Sequence, residues 1–232
     1  MKQIPNYFIN AVKECYGIDR DDFIKILEDP ATNQKACNDE WEHRETNDSF
    51  YQHSKNYVFG LIGFNNHTRV FKVLCPIMEA ENKKILDFGG GIGELGMQMT
   101  EGNDVYYYDL DGEIQNFAKY LSAMTNRPMT FLKETEVFEQ KYDIILIMDV
   151  LEHLEDPVGI LKKLIDCLTP RGIIITSGYN FVIKKEFPMH LPKNKEARQG
   201  ISDLMSKNFD SFYTHYTKDE TIFGIYKREE IK

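Results

Sequence analysis

Lys83-Lys84-Ile85-Leu86-Asp87-Phe88-Gly89-Gly90-Gly91-Ile92-Gly93-Glu94-Leu95-Gly96 is the stretch whose reading decides the fold. Two lysines give way to a short apolar run, then an acid, then five glycines within eight residues. Ile85 to Phe88 reads as a buried strand, and the glycines as a turn into a helix that begins near Glu94. Glycine lets the backbone take positive φ and lets a ligand approach where a Cβ would stand. Strand, glycine turn and helix N-terminus together make a cradle at the carboxyl edge of a parallel sheet.

Beyond the turn the chain alternates strand and helix. Val105 to Tyr108 is β-prone and ends in Asp109, and Ile114, Phe117, Leu121 and Met124 then recur at helical spacing. Met129 to Leu132 is a short third strand. Asp143 to Met148 reads as a strand buried on both faces. Asp156-Pro157 opens a helix through Leu168, since proline suits a first turn. Thr169-Pro170-Arg171-Gly172 is expected to end that helix before a fifth strand at Ile173 to Ile175. Right-handed crossovers place these strands in one parallel sheet. Lys193 to Lys207 reads as a helix, and Phe209 to Tyr216 and Thr221 to Tyr226 as a closing antiparallel hairpin around Thr217-Lys218-Asp219-Glu220.

Residues 1–81 differ in character and read as a helical appendage, with 82–232 as the α/β domain. Phe8, Val12 and Cys15, then Phe23, Ile24 and Leu27, mark two helices, and Pro30 should stop the second. Ala31 to Asp48 reads as a polar stretch around Trp41. Phe50 to Met78 reads as two helices broken near Gly63-Phe64-Asn65-Asn66. Because the parallel strands all begin later, removing Met1 to about Glu79 is expected to leave a folded sheet.

Composition narrows the function classes. With 232 residues, 42% hydrophobic and 28% charged, the chain fits a soluble globular protein with one substantial domain. A formal charge of −9 argues against nucleic acid, which needs a basic face. No apolar run approaches the ~20 residues of a membrane span, so no membrane partner is expected. Cys15, Cys37, Cys75 and Cys167 lie far apart without metal-like pairing and read as thiols of a reducing cytoplasm.

Two ligand readings compete for the glycine turn. Gly91-x-Gly93-x-x-Gly96 fits a dinucleotide fingerprint. Asp87, however, makes the run Asp-x-Gly-x-Gly-x-Gly, which resembles the first motif of the class I S-adenosylmethionine (SAM)-dependent methyltransferases. Tyr142 to Pro157, with Asp149-Val150-Leu151-Glu152-His153-Leu154 at its centre, closely resembles the post-strand motif of the small-molecule members of that family. Thr169 to Ile175 is similar to their following turn, with Arg171 where glycine is common. The resemblance is strong from about Lys83 to Ser177, holds in outline through the tail, and hardly touches the first eighty residues.

The resemblance implies a Rossmann-like, mostly parallel seven-stranded sheet with a closing antiparallel hairpin. It implies SAM as cofactor, S-adenosylhomocysteine as product, and a small-molecule acceptor, with peptide or carrier-bound acceptors included. Asp87 and the backbone of Gly89, Gly90, Gly91 and Gly93 would surround the methionyl and ribose parts of SAM. Asp109, ending the second strand, can accept hydrogen bonds from both hydroxyls of a ribose, in NAD as in SAM. Leu110 would lie against adenine, Glu134 near its amino group, and Asp149 and Val150 complete the cofactor set. A general base is needed only if the acceptor must lose a proton, and His153 and His190 are the candidates. Tyr51, His53 and Tyr57 are candidate acceptor contacts. No spacing resembles a catechol-type metal site, so no metal is expected. A nicotinamide-dependent oxidoreductase and a non-catalytic SAM-binding scaffold are the alternatives.

Overall fold

The computed structural model describes residues 4–64, 67–177, 187–216 and 221–227. Among these, six helices precede the first strand: α1 (Asn6–Tyr16), α2 (Arg20–Glu28), α3 (Pro30–Glu42), α4 (Asn47–His53), α5 (Lys55–Phe64) and α6 (His67–Leu74). Pro30 does two jobs. It ends α2 and opens α3 as its first residue, where a missing N–H costs nothing, while the Asp29 carboxylate accepts from the Thr32 N–H. The stretch read as polar is therefore mostly helix, with Trp41 buried on its inner face. The apolar region read as two helices holds three. The added break is at Ser54, whose Oγ accepts from the Tyr57 N–H and so starts α5. Residues 65–66, inside the expected break, lie outside the described residues.

The strands are β1 (Lys84–Phe88), β2 (Asp104–Tyr108), β3 (Thr130–Phe131), β4 (Tyr142–Ile147), β5 (Leu168–Ser177), β6 (Asp210–Tyr216) and β7 (Thr221–Lys227), interleaved with α7 (Glu94–Gln98), α8 (Glu113–Met124), α9 (Glu134–Val137), α10 (Pro157–Asp166) and α11 (Asn194–Asn208). Their order is β3-β2-β1-β4-β5-β7-β6. The first five run parallel, and β7 pairs antiparallel with both β5 and β6. The expected hairpin turn at 217–220 lies outside the described residues.

One boundary departs from the sequence reading. α10 stops at Asp166, and Thr169 to Gly172 already belongs to β5. Pairing runs from Tyr142↔Leu168 to Ile144↔Ile173, so three extra residues bulge from β5. Pro170 falls in that bulge, where its lack of an N–H breaks no ladder bond.

The chain builds outward from β1 to β3, then returns to place β4 on the other side of β1. Ligands bind at such a reversal, outside the carboxyl ends of the strands. Alternate strand residues serve opposite layers. Leu86, Phe88, Ile145 and Ile147 pack with α10 and α11, while Ile85, Ile144 and Leu146 pack with Val70, Val73 and Leu74 of α6. Helices α1 to α5 are not a separate body. Their Phe8, Val12, Phe23, Val58 and Phe59 share one apolar cluster with Ile114, Phe117 and Leu121 of α8.

Candidate functional site

The carboxyl end of β1 delivers Asp87 into the interior, 2% exposed, where its Oδ2 accepts from the Gly96 N–H at 2.9 Å. Burial pushes its pKa up to about 7, the Gly96 N–H opposes, and the Asp109 charge adds to the rise. The turn that follows is tight because its neighbours are the protein's own side chains. A Cβ on Gly90 would stand 2.7 Å from the Tyr107 ring and 2.9 Å from the Asp87 carboxyl carbon. Gly91 has φ +57°, and a Cβ there would stand 3.2 Å from Leu61 of α5. The N-terminal helices thus lie directly over the glycine turn.

Asp109 extends from β2 toward that turn. Its Oδ2 accepts from the Gly91 N–H and its Oδ1 from the Leu110 N–H, both at 2.8 Å. Burial raises its pKa to about 6 against the pull of these two donors. Each oxygen keeps a second lone pair, which gives the pair of acceptors that vicinal hydroxyls need. Leu110 is half-buried against the helical cluster. Glu134 is exposed at the start of α9. Asp111, two residues beyond Asp109, is exposed.

At the end of β4, Asp149 takes a left-handed φ of +55°. Its N–H donates to Ser177 Oγ at 2.8 Å, which ties the ends of β4 and β5. A non-glycine residue held there stores strain of the kind concentrated at functional sites. Val150 folds back on the turn, 2.5 Å from where a Cβ of Gly89 would be.

The acceptor-side candidates separate. His53 is exposed and its Nδ1 lies 2.8 Å from the Ser49 carbonyl of its own helix. Tyr51 is buried, with its hydroxyl 2.9 Å from His153 Nδ1, and its ring stands 5.2 Å from that of Tyr57. Burial pushes both phenols far up, and carboxylates add to it: Asp109, Glu152 and Asp149 at Tyr57, Glu152 and Asp109 at Tyr51. The two tyrosines therefore sit among the acids of β2 and β4. His153 Nδ1 also lies 3.0 Å from the Met189 carbonyl. Burial lowers its pKa, opposed by that contact and the Asp149 charge, so the ring is neutral at physiological pH. His190 stacks on Phe187 at 5.5 Å, and its ring centre is 5.0 Å from that of His153.

Two acids had no role in the sequence reading. Glu94, buried just after the glycine turn, accepts from the Tyr7 hydroxyl of α1 at 3.3 Å. Glu152, also buried, has a carboxylate atom within 4.8 Å of ring nitrogens of His153 and His190. A glutamate inside the post-β4 motif was the available signal; its partner His190 comes from another segment.

A mostly parallel sheet closed by an antiparallel pair, with acids at the carboxyl ends of β1, β2 and β4, defines a Rossmann-like α/β protein of the nucleoside-binding type. A family model described as a methyltransferase domain matches residues 65–203, and the chain belongs to that family. Over 104 residues it is 35% identical to a ubiquinone biosynthesis O-methyltransferase of Photorhabdus laumondii, covering 42% of this chain and 43% of that one. A ubiquinone biosynthesis O-methyltransferase of Vibrio vulnificus is 31% identical over 125 residues, 51% of this chain and 53% of the relative. The matched stretch thus spans about half the length of these relatives. Among solved structures, magnesium protoporphyrin IX methyltransferase from Synechocystis, with SAM bound, superimposes with a TM-score of 0.55 at 18% identity, covering 87% of this chain and 97% of that one. A ribosomal protein L11 methylase of Lactobacillus delbrueckii gives a TM-score of 0.50 at 18% identity, covering 72% and 81%. At these identities the likeness is one of fold.

Proposed function

We propose that the chain is a SAM-dependent methyltransferase acting on a small molecule, built from a seven-stranded domain of residues 82–232 and a helical cap of residues 1–81. The observation that carries this reading is the Asp109 carboxylate, fixed by two backbone N–H groups beside the glycine turn. Its remaining lone pairs suit both hydroxyls of a ribose. The acidic edge made by Asp87, Asp109 and Asp149 also suits a cationic sulfonium and ammonium ligand. Gly89, Gly90, Gly91, Gly93, Leu110 and Val150 complete the bed, with Glu134 at its rim.

SAM supplies an activated methyl: an acceptor lone pair displaces sulfur in line, and S-adenosylhomocysteine leaves. The protein's work is to orient and to exclude water, which contributes ~7–11 kcal/mol in well-aligned cases. Tyr51 and Tyr57 roof the edge and shape the acceptor side. Neutral His153, or His190 beside it, takes the proton when the acceptor has one to lose. Among the described residues no helix is long and apolar enough to cross a membrane, and the free thiols fit the cytoplasmic site proposed here.

Calorimetry with SAM, S-adenosylhomocysteine and NADH tests the reading. The two adenosyl ligands should bind in the micromolar range, and tighter binding of NADH would sink the assignment. A turnover assay with hydroxyl and phenol acceptors separates an enzyme from a SAM-binding scaffold.

A further inference from the structure

We propose that Glu152, His153 and His190 form a three-ligand site for a divalent first-row transition ion of the zinc type, at the turn after β4. One ligand atom from each residue lies within 4.8 Å of the others. Two imidazoles and a carboxylate are the donor set of catalytic zinc sites, which leave a further position open to an oxygen of water or substrate.

The state of His153 supports the same assignment. A carbonyl only accepts, so the Met189 contact requires the proton on Nδ1, and the Tyr51 oxygen shares it. Nε2 is then left with its lone pair. Metal-ligating histidines characteristically donate their other N–H to a carbonyl or carboxylate in this way.

The two contributing segments are also fastened together. The Leu191 N–H donates to the Glu152 carbonyl at 2.9 Å. The Asn194 amide, 1% exposed, reaches the carbonyls of Leu151, Glu152 and Leu154 at 3.2, 3.0 and 2.9 Å. The segment carrying His190 is therefore held against the turn carrying Glu152 and His153. Ligands already in place lose little freedom when an ion arrives. With their lone pairs on an ion His153 and His190 would no longer serve as bases, and the ion would instead polarise an acceptor hydroxyl and lower its pKa. That use rests on the methyltransferase reading; ion binding does not.

The test is titration of the full chain, purified without an affinity tag and stripped by a chelator, with Zn²⁺ by calorimetry and Co²⁺ by visible absorption. Saturable one-to-one binding and a Co²⁺ ligand-field band are expected. Glu152→Gln and His190→Ala should each weaken Zn²⁺ by at least about 100-fold, beyond the usual cost of losing an outer partner. His43→Ala, at an exposed histidine on the end of α3, should bind as the parent does. S-adenosylhomocysteine affinity, measured on the same samples, keeps the two readings apart and reports folding. A parent that binds S-adenosylhomocysteine but no Zn²⁺ overturns the site, as does unchanged Zn²⁺ binding in the variants. Zinc binding with the expected losses but no S-adenosylhomocysteine binding keeps the site and overturns the methyltransferase reading. If Glu152→Gln loses both ligands through misfolding, half-buried His190→Ala decides.

Discussion

The two sides of the carboxyl edge are built on opposite plans. On the cofactor side, Asp87 and Asp109 are held by backbone N–H groups of the glycine stretch, within 9 and 18 residues of themselves. On the acceptor side, Tyr51, His153 and Met189 meet across separations of 102 and 36 residues. One half is a local motif with its supports included. The other exists only once α4, the β4 turn and the segment after β5 have come together, so its integrity depends on the whole fold.

The most damaging way to probe that contrast is to delete the N-terminal helices. Removing residues 1–64 uncovers Ile114, Phe117 and Leu121, each worth ~1.5–3 kcal/mol when fully buried. Such a loss rivals the whole stability of a domain. The shared core reverses the expectation of a free-standing sheet: the truncated chain should fail to unfold cooperatively in a thermal melt. A sharp transition near the parent's would show that the cofactor half stands alone.

Asp109→Ala comes next. Losing charge-assisted hydrogen bonds worth ~1.5–3 kcal/mol weakens SAM binding roughly ten- to a hundredfold. Because Gly91 and Leu110 lose an acceptor too, some stability should go with it, unlike a change at a solvent-facing strand end. Calorimetry on the variant measures the first effect and a denaturant melt the second.

The pH dependence of the cofactor half is more graded. Burial pushes Asp87 up to about 7 and Asp109 up to about 6 in the folded chain, both above the ordinary carboxylate value of 3.8. Groups raised by folding give stability that is present at low pH and lost as pH rises through the folded pKa. From these groups, ligand-free stability should fall between about pH 4 and 7 and then level off. Asp87→Asn should flatten that slope in melts across the range. Affinity for cationic SAM should rise over pH 6 to 7 as both carboxylates ionise. A pH-independent affinity would mean that neither acid faces the ligand.

Tyr51→Phe is a milder cut into the acceptor half. Losing one hydrogen bond to His153 should cost about 0.5–1.5 kcal/mol of stability. Turnover should fall while SAM affinity holds, and the reverse pattern would move Tyr51 to the cofactor side. Smallest of all, Asp111→Ala should change SAM affinity by less than about 0.5 kcal/mol, as exposed substitutions usually do.

The same contrast decides which parts of the molecule are legible in the sequence alone. The β1 run, its glycine turn and the doubly buried β4 announce themselves through short-range pattern, because burial on both faces demands an unbroken apolar run. Asp109 was placed at a strand end by the same logic. Helix α3 escaped notice because its core contribution rests on only Cys37 and Trp41 in thirteen residues, too sparse for a periodic signal. The extension of β5 across Pro170 escaped because bulges are set by pairing partners, which are distant in sequence. His190 reads as a candidate base from the sequence, but its pairing with Glu152 lies hidden for the same reason, since neither carries a mark of the other.

Asn194 has a consequence for the order in which the molecule matures. Its amide has two hydrogens to share among three carbonyls, and these lie 40 to 43 residues earlier in the chain. During synthesis the turn after β4 must therefore wait, unlatched, until the start of α11 has been made. The glycine turn, whose hydrogen-bond partners are all in place by Asp109, has no such delay. A ligand that needs only the first half has somewhere to dock on a growing chain well before the second half can act on it.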